Sequence, residues 1–585
     1  MSATDTRTDL GAFVCVIEEL HRDLATADAA CVGRFTHAEV TLDLGTSPDW
    51  IGGGLADDEE WRIEWVKLYE GLDLAHGFVT TGDPRYLSTW EDLTTSFCVQ
   101  VPVGHDTSDV SARRLQNWLY AWQRFASSTS FEGFRPGVAD RLRRRILDDV
   151  EHLATHLTAE RNHRTMELYT LLLVGLAFGE APLAADALGL LAENAALDIV
   201  DDGVHRERSS DYHMIVLRSL VGAVANARLA GLDVDDRLLA ATDRAATFGL
   251  HLQCPDGTTP ALSDGDQADF RSLLSFASRV LGRPDLEWAA TLGGRGVPPK
   301  DTAATFPTGG YVVQRSGWGD GSTPYGDERW AILDCGPLGD GGHGHYDHLS
   351  VELAGGGHRI AVDPGRFTYA DGPDGWRRWF KGTQAHNTVC VDGLDQTPYR
   401  RGKPKGPTSS AHLVRRHTEH GLDIVVARAT SPQYRAVHER TLAFVGGEYW
   451  IVIDELADDE PHDYVARWHL DPSTQGAVTV RAAEAGSIVE TPAATFVVLR
   501  DSGLVDIEDG WVSPTYGERL PAPVIAIAAP RHHTATIVTL IDPLCRSPRS
   551  VIHEVDGDHH AVQIDWGGSR DDLAWQPSSA NWSRT

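Results

Sequence analysis

The chain has 585 residues, 84 of them acidic against 52 basic, for a formal charge of −32. That length predicts two to four domains. The acidic surface argues against nucleic acid and anionic membranes as partners, yet a local basic pocket could still admit an anionic small substrate.

The N-terminal stretch "MSATDTRTDLGAFVCVIEEL" lacks a basic segment followed by an uninterrupted apolar run. It therefore reads as having no secretory signal, and a cytoplasmic location is the expectation. "LYTLLLVGLAF", the most apolar run, is far short of the roughly 20 residues that span a bilayer. Seven dispersed cysteines, an odd number with no C-x-x-C spacing, argue against a disulfide framework or a thiolate metal site. Up to about residue 300 the apolar residues recur at three- and four-residue spacing, predicting antiparallel helices in a barrel or layered bundle. "VSARRLQNWLYAWQRFA" and "MELYTLLLVGLAFGE" are examples, with Gly82-Asp83-Pro84 and Glu180-Ala181-Pro182 as loops. After the Gly/Pro-rich "LGGRGVPPKDTAATFPTGG" the period switches to two. "YVVQRS", "RWAILDCG", "LDIVVARA", "EYWIVIDEL" and "TFVVLR" then predict short antiparallel strands.

The densest chemistry lies in "GGHGHYDHLSVELAGGGHRIAVDPG". Its HGHYDH core is H-x-H-x-D-H, the spacing of dinuclear zinc hydrolases. On a strand, residues i and i+2 share a face, so His343, His345 and Asp347 would line up and His348 would point away. Leu349, Val351 and Leu353, followed by Ile360 and Val362, predict a hairpin that returns Asp363 towards His345. With His386, in "KGTQAHNTVCVDG", these make a His345, Asp363 and His386 set drawn from three segments, with donors that suit Zn2+. The metallohydrolase alternative fits poorly, because here the motif follows an entire helical domain.

"GHGHYDHLSVELAGGGHRIAVDPGRFTY" and "WRRWFKGTQAHNTVCVDGLDQ", preceded by "ERNHRTMELYTLLLVGLAFGE" and "DDGVHRERSSDYHMIVLRSL", resemble the signature motifs of the heparinase II/III-like polysaccharide lyases, which include oligoalginate lyase-like enzymes. The resemblance implies an (α/α) toroid packed on antiparallel β-sheets, an α+β multidomain fold. The change of period places the toroid over 1–300, an antiparallel β-sandwich carrying the metal over 301–505, and a C-terminal β module over 506–585. It implies β-elimination on a uronate-containing oligosaccharide, with a 4,5-unsaturated product. It also implies one zinc on His345, Asp363 and His386, organising a loop and leaving His343 to the catalytic cleft.

Elimination needs the uronate carboxylate neutralised, a base for the C5 proton and an acid for the departing O4. The resemblance gives neutralisation to Asn162 and His163 and catalysis to Tyr212, with His343 assisting. A tyrosine can serve as both acid and base if cations depress its phenol. Next to it, His213 is a substrate-binding candidate. Arg208, Arg218, Arg378 and Lys381 are candidate positive charges around the substrate. Trp118 and Trp122, one helical turn apart, could stack sugar rings or simply form a core stripe. A tailoring eliminase on a small glycoside, a non-catalytic glycan binder and a hydrolase using Glu207 and Asp211 are the other readings. Oligomeric state, a homodimer included, is left open.

Overall fold

The computed structural model describes residues 10–16 and 22–585. Most of the N-terminal stretch read for a signal lies outside those residues. Among the described residues, no helix is long and apolar enough to cross a membrane. The chain divides into two compact units, one of residues 1–199 with 215–243 and the other of 200–214 with 244–585.

The first unit is helical. Some of its helices start where a short acidic side chain caps them: Asp58 accepts from the Trp61 amide and Asp83, just before Pro84, accepts from the Arg85 amide. Gly82 and Gly179 close helices in the left-handed conformation. Glu70–Thr81, Ser108–Ser127 and Arg161–Phe178 pack in series, while Pro84–Gln100 packs on Val138–Thr155. Alternate helices thus form two layers, the arrangement expected of an (α/α) toroid. Trp50 stacks on Trp65 with ring centroids 4.3 Å apart, and both rings are fully buried.

The second unit holds three antiparallel sheets of five, ten and four strands. One face of the ten-stranded sheet shares a core with the five-stranded sheet, through Leu333, Val351, Val425 and Leu442. The other face shares a core with the four-stranded sheet, through Ile424, Ile451, Ile564 and Trp575. The run of long helices ends at Ala290 and the five-stranded sheet begins at Ala304, close to the expected boundary at 300. A short hairpin, Arg34–His37 with Val40–Asp43, and the short helix Trp376–Lys381 are the exceptions to this order. The expected boundary at 505 is different. Strands Leu504–Val512 and Leu520–Asp542 belong to the ten-stranded sheet, and the separate C-terminal sheet starts only at Ser550. Residues 200–214 also join the β-rich unit rather than the helical one.

The hairpin Val351–Gly355 with His358–Ala361 forms as expected, Leu353 facing Ala361. The histidine cluster does not lie on it. His343 to Ser350 form an irregular segment before the strand, and Leu349 has φ +64°. Face alternation therefore does not govern these side chains; loop contacts do.

Candidate active site

The site in the β-rich unit is organised by Asp264, in the loop segment "LSDGDQAD". Its Oδ1 accepts from Arg377 Nη1 at 2.5 Å and His345 Nε2 at 2.9 Å. Oδ2 accepts from Arg377 Nη2 at 2.8 Å and His343 Nδ1 at 3.0 Å. Burial alone would raise this carboxyl, but Arg377 and the two imidazoles hold it well below the ordinary range. An ionised carboxylate only accepts hydrogen bonds, so the network assigns the tautomers. His343 carries its proton on Nδ1 and keeps a lone pair on Nε2; His345 carries its proton on Nε2 and keeps one on Nδ1.

The serines of "ERSSDYH" attach Tyr212 to this loop. Ser209 Oγ donates to the Asp264 carbonyl at 3.0 Å and accepts from the Tyr212 amide at 3.4 Å. Ser210 Oγ donates to the Pro260 carbonyl at 2.6 Å and accepts from the Leu262 amide at 3.1 Å. A Cβ at residue 265 would sit 2.4 Å from Ser210 Oγ, so only glycine fits. The Tyr212 ring lies 4.2 Å from the His343 ring, centroid to centroid. Its hydroxyl shares a 3.0 Å hydrogen bond with that of Tyr369, which also accepts from Arg366 Nη1 at 2.6 Å. Burial and Tyr369 push the Tyr212 phenol well up, although Arg366 opposes them. The expected depression by cations is therefore not what the surroundings produce: Tyr212 is a protonated phenol at neutral pH.

A second cluster adjoins the first. His345, Asp347 and His386 each offer a ligand atom, all within 4.8 Å of one another. Burial lowers His345 to about 4 and raises Asp347 to about 6. His386 Nδ1 bonds to Asp363 Oδ2 at 2.8 Å. His345 Nδ1 and His386 Nε2 are buried without a hydrogen-bond partner. Two lone-pair nitrogens beside a carboxylate, each imidazole held from behind by another carboxylate, fit a zinc ion. Of the expected set, His345 and His386 fall in this group together with Asp347, while Asp363 lies beside them in contact with His386.

Other expected site residues are spent elsewhere. Trp118 is 1% exposed and Trp122 4%. Trp118 packs on Phe97 and the Arg114 guanidinium, Trp122 on Phe134 and Phe178, so neither offers a face to a sugar. His213 is buried and bonds to the Ala245 carbonyl at 2.9 Å; burial lowers it to about 4, as for a core imidazole. Arg208 donates to the carbonyls of Gly309 and Thr308, which makes it a loop tie. Lys381 is fully buried on backbone carbonyls, and Arg378 is exposed while its neighbour Arg377 takes the inward position. In the helical unit Arg218 is buried. Asn162, also buried, and half-buried His163 lie in the first turn of Arg161–Phe178, whose entry residue Arg161 has φ +75°.

Asp264, Tyr369, Arg366 and Arg377 escaped sequence reasoning. The carboxylates flanking Gly265 were the available signal for Asp264, and "FTY" lay within the motif itself.

Comparison with known proteins shows the family and the fold. Residues 8–281 match the family model described as Heparinase II/III N-terminus, and residues 298–550 match Heparinase II/III-like, C-terminal. The chain is 22% identical to a heparin-sulfate lyase of Pedobacter heparinus, over 93% of this chain and 83% of that protein. A crystal structure of heparinase III superposes with a TM-score of 0.81 at 17% identity, covering 98% of this chain and 94% of the other. The heparan sulfate lyase HepC of Pedobacter heparinus gives 0.68 at 19% identity, covering 97% and 92%.

Proposed function

Because the chain belongs to the heparinase II/III-like family of polysaccharide lyases, we propose that it cleaves a uronate-containing glycan of the heparan sulfate type. The reaction is β-elimination, which breaks the C4–O4 bond and leaves a 4,5-unsaturated uronate. The single observation that carries this reading is the pairing of Tyr212 with His343 over the Asp264 carboxylate.

Each partner is pre-set for one half of the proton traffic. Asp264 fixes the His343 proton on Nδ1, so Nε2 is the atom that accepts the C5 proton. Tyr212, protonated at rest, donates to the departing O4. The electron pair of the broken C5–H bond becomes the new C4–C5 double bond. Neutralisation of the uronate carboxylate is the role that the family resemblance gives to Asn162 and His163, which lie in the first turn of their own helix.

Zinc is part of the proposal. His345 Nδ1, His386 Nε2 and the Asp347 carboxylate would hold it, with Asp264 and Asp363 orienting the imidazoles. When bound it supplies fixed positive charge that ties the His343–His348 loop to the segment around His386. Elemental analysis should find one zinc per chain, reduced in His386→Ala; two zincs with chelator-sensitive hydrolysis would favour the dinuclear hydrolase instead.

The main test follows the ultraviolet absorbance of the unsaturated product across heparan sulfate, alginate, hyaluronan and chondroitin fragments. Tyr212→Phe and His343→Ala should abolish it. Full activity in either variant would remove that residue from the mechanism, and no chromophore from any fragment with wild-type protein would remove the lyase reading.

A further inference from the structure

The loop over residues 399–405, "YRRGKPK", carries four basic residues and no acidic one, in a chain whose formal charge is −32. Arg400, Arg401, Lys403 and Lys405 are all exposed. Among the described residues, no carboxylate lies within ion-pairing distance of Arg400, Lys403 or Lys405. Solvated basic residues are common. Three unpaired cations in one short loop of so acidic a protein are a more pointed observation.

The backbone of this loop is fixed against the catalytic segment. Lys381 Nζ donates to the Gly342 carbonyl at 2.6 Å, and to those of Arg401 and Gly402 at 3.4 and 3.3 Å. The Arg400 amide donates to Tyr346 Oη at 2.9 Å. A Cβ on Gly342, which has φ +98°, would lie 2.5 Å from the Lys403 amide nitrogen. The loop therefore touches the residue immediately before His343, with its backbone held inward and its charged ends in water. Pro404 further restricts it, lowering the entropy lost when a ligand binds.

We propose that the 399–405 loop is a subsite for the sulfate or carboxylate groups of the glycan chain next to the uronate that reacts at Tyr212 and His343. This deepens the lyase reading and rests on it. The electrostatics favour this occupant. At physiological salt the field is screened within about 8 Å, so the distant acidic surface repels a bound polyanion little. The loop's own cations act at contact range. A neutral sugar would have no use for them, and a nucleic acid would meet the acidic surface along most of its length.

The test is Arg400→Gln/Lys403→Gln/Lys405→Gln, leaving Arg401 in place, assayed on size-matched sulfated and unsulfated glucuronate–glucosamine oligosaccharides. KM should rise about tenfold with kcat changed by less than about twofold. The slope of log KM against log salt should fall by about two, taking roughly 0.7 per cation from single-stranded polyanions. A loss confined to the sulfated chain assigns sulfate; an equal loss on both assigns carboxylate. Unchanged KM and salt slope on both chains would overturn the subsite. Calorimetric binding of the same oligosaccharides to Tyr212→Phe protein, with and without the triple substitution, separates the two ideas. Charge-dependent binding without turnover by wild type would defeat the lyase reading and keep the loop. No binding to either chain would overturn the loop. An unchanged melting temperature excludes misfolding.

Discussion

Asp264 and Asp454 are both buried carboxylates that take two hydrogen bonds from an arginine and at least one from a histidine. Arg440 Nε and Nη2 reach Asp454 at 2.6 and 3.0 Å, and His438 Nε2 at 2.7 Å. The difference lies in how the parts arrive. Arg440 stands directly across from Asp454 in an antiparallel pair of strands, inside the ten-stranded sheet. Asp264 gathers His343, His345 and Arg377 from 79, 81 and 113 residues away, all on loops or short helical turns. Sheet pairing fixes the first cluster, which is closed to solvent. The second exists only if three separate segments close on it, and its His343 side chain stays 21% exposed. Similar charges hold a closed pair of strands together in one place and a partly exposed imidazole in the other.

Replacing each aspartate by asparagine should separate these roles. Asp264→Asn should have the larger effect on catalysis, lowering kcat by ~10²–10⁴-fold, because an amide can present N–H to His343 Nδ1 and favour the wrong tautomer. Asp454→Asn leaves Arg440 buried beside a neutral group and should destabilise the protein by about 3–5 kcal/mol. Its kcat, per folded molecule, should fall less than tenfold. Denaturant midpoints and kcat for both variants test the contrast, and equal losses of activity would erase it. Some coupling is expected, because Arg440 Nη1 also donates to the carbonyls of Leu349 and Asn387 at 2.6 Å, one residue beyond His348 and His386.

The same contrast explains what the sequence could reveal. Because both signals are local, helical and strand periods gave the order of architecture and short motifs pointed to Tyr212, His345 and His386, which lie in or beside the Asp264 cluster. Asp264 was invisible as the partner of HGHYDH, since nothing local in "LSDGDQAD" points to histidines some 80 residues on. Asp347, and not Asp363, lies with His345 and His386 in the potential ligand group, in a segment before Val351 that is a loop, where alternation does not apply. Trp118 and Trp122 have helical spacing that suits a core stripe and a sugar platform alike; burial chose the core. The false boundary at 505 has a similar cause. Leu520–Asp542 is one 23-residue strand with an exposed polar middle around Arg531, His532 and His533, which reads as a break between two shorter strands.

Acid titration supplies a smaller test of the closed cluster. Burial would raise Asp454, but Arg440 and His438 hold it down at about 2, against an ordinary value of about 3.9 in an unfolded chain. A carboxyl lowered in the folded state stabilises above its unfolded value, and that contribution disappears as pH falls through the folded one. The gap corresponds to about 2–3 kcal/mol, fully present above about pH 5 and lost progressively as pH falls through 2. Asparagine cannot titrate. The stability difference between wild type and Asp454→Asn should therefore narrow by about 2 kcal/mol between pH 6 and pH 2, measured by denaturant unfolding at each pH. If the two stability curves stay parallel across that window, Asp454 is not held ionised by Arg440 and His438, and the likeness between the two clusters fails at the closed one.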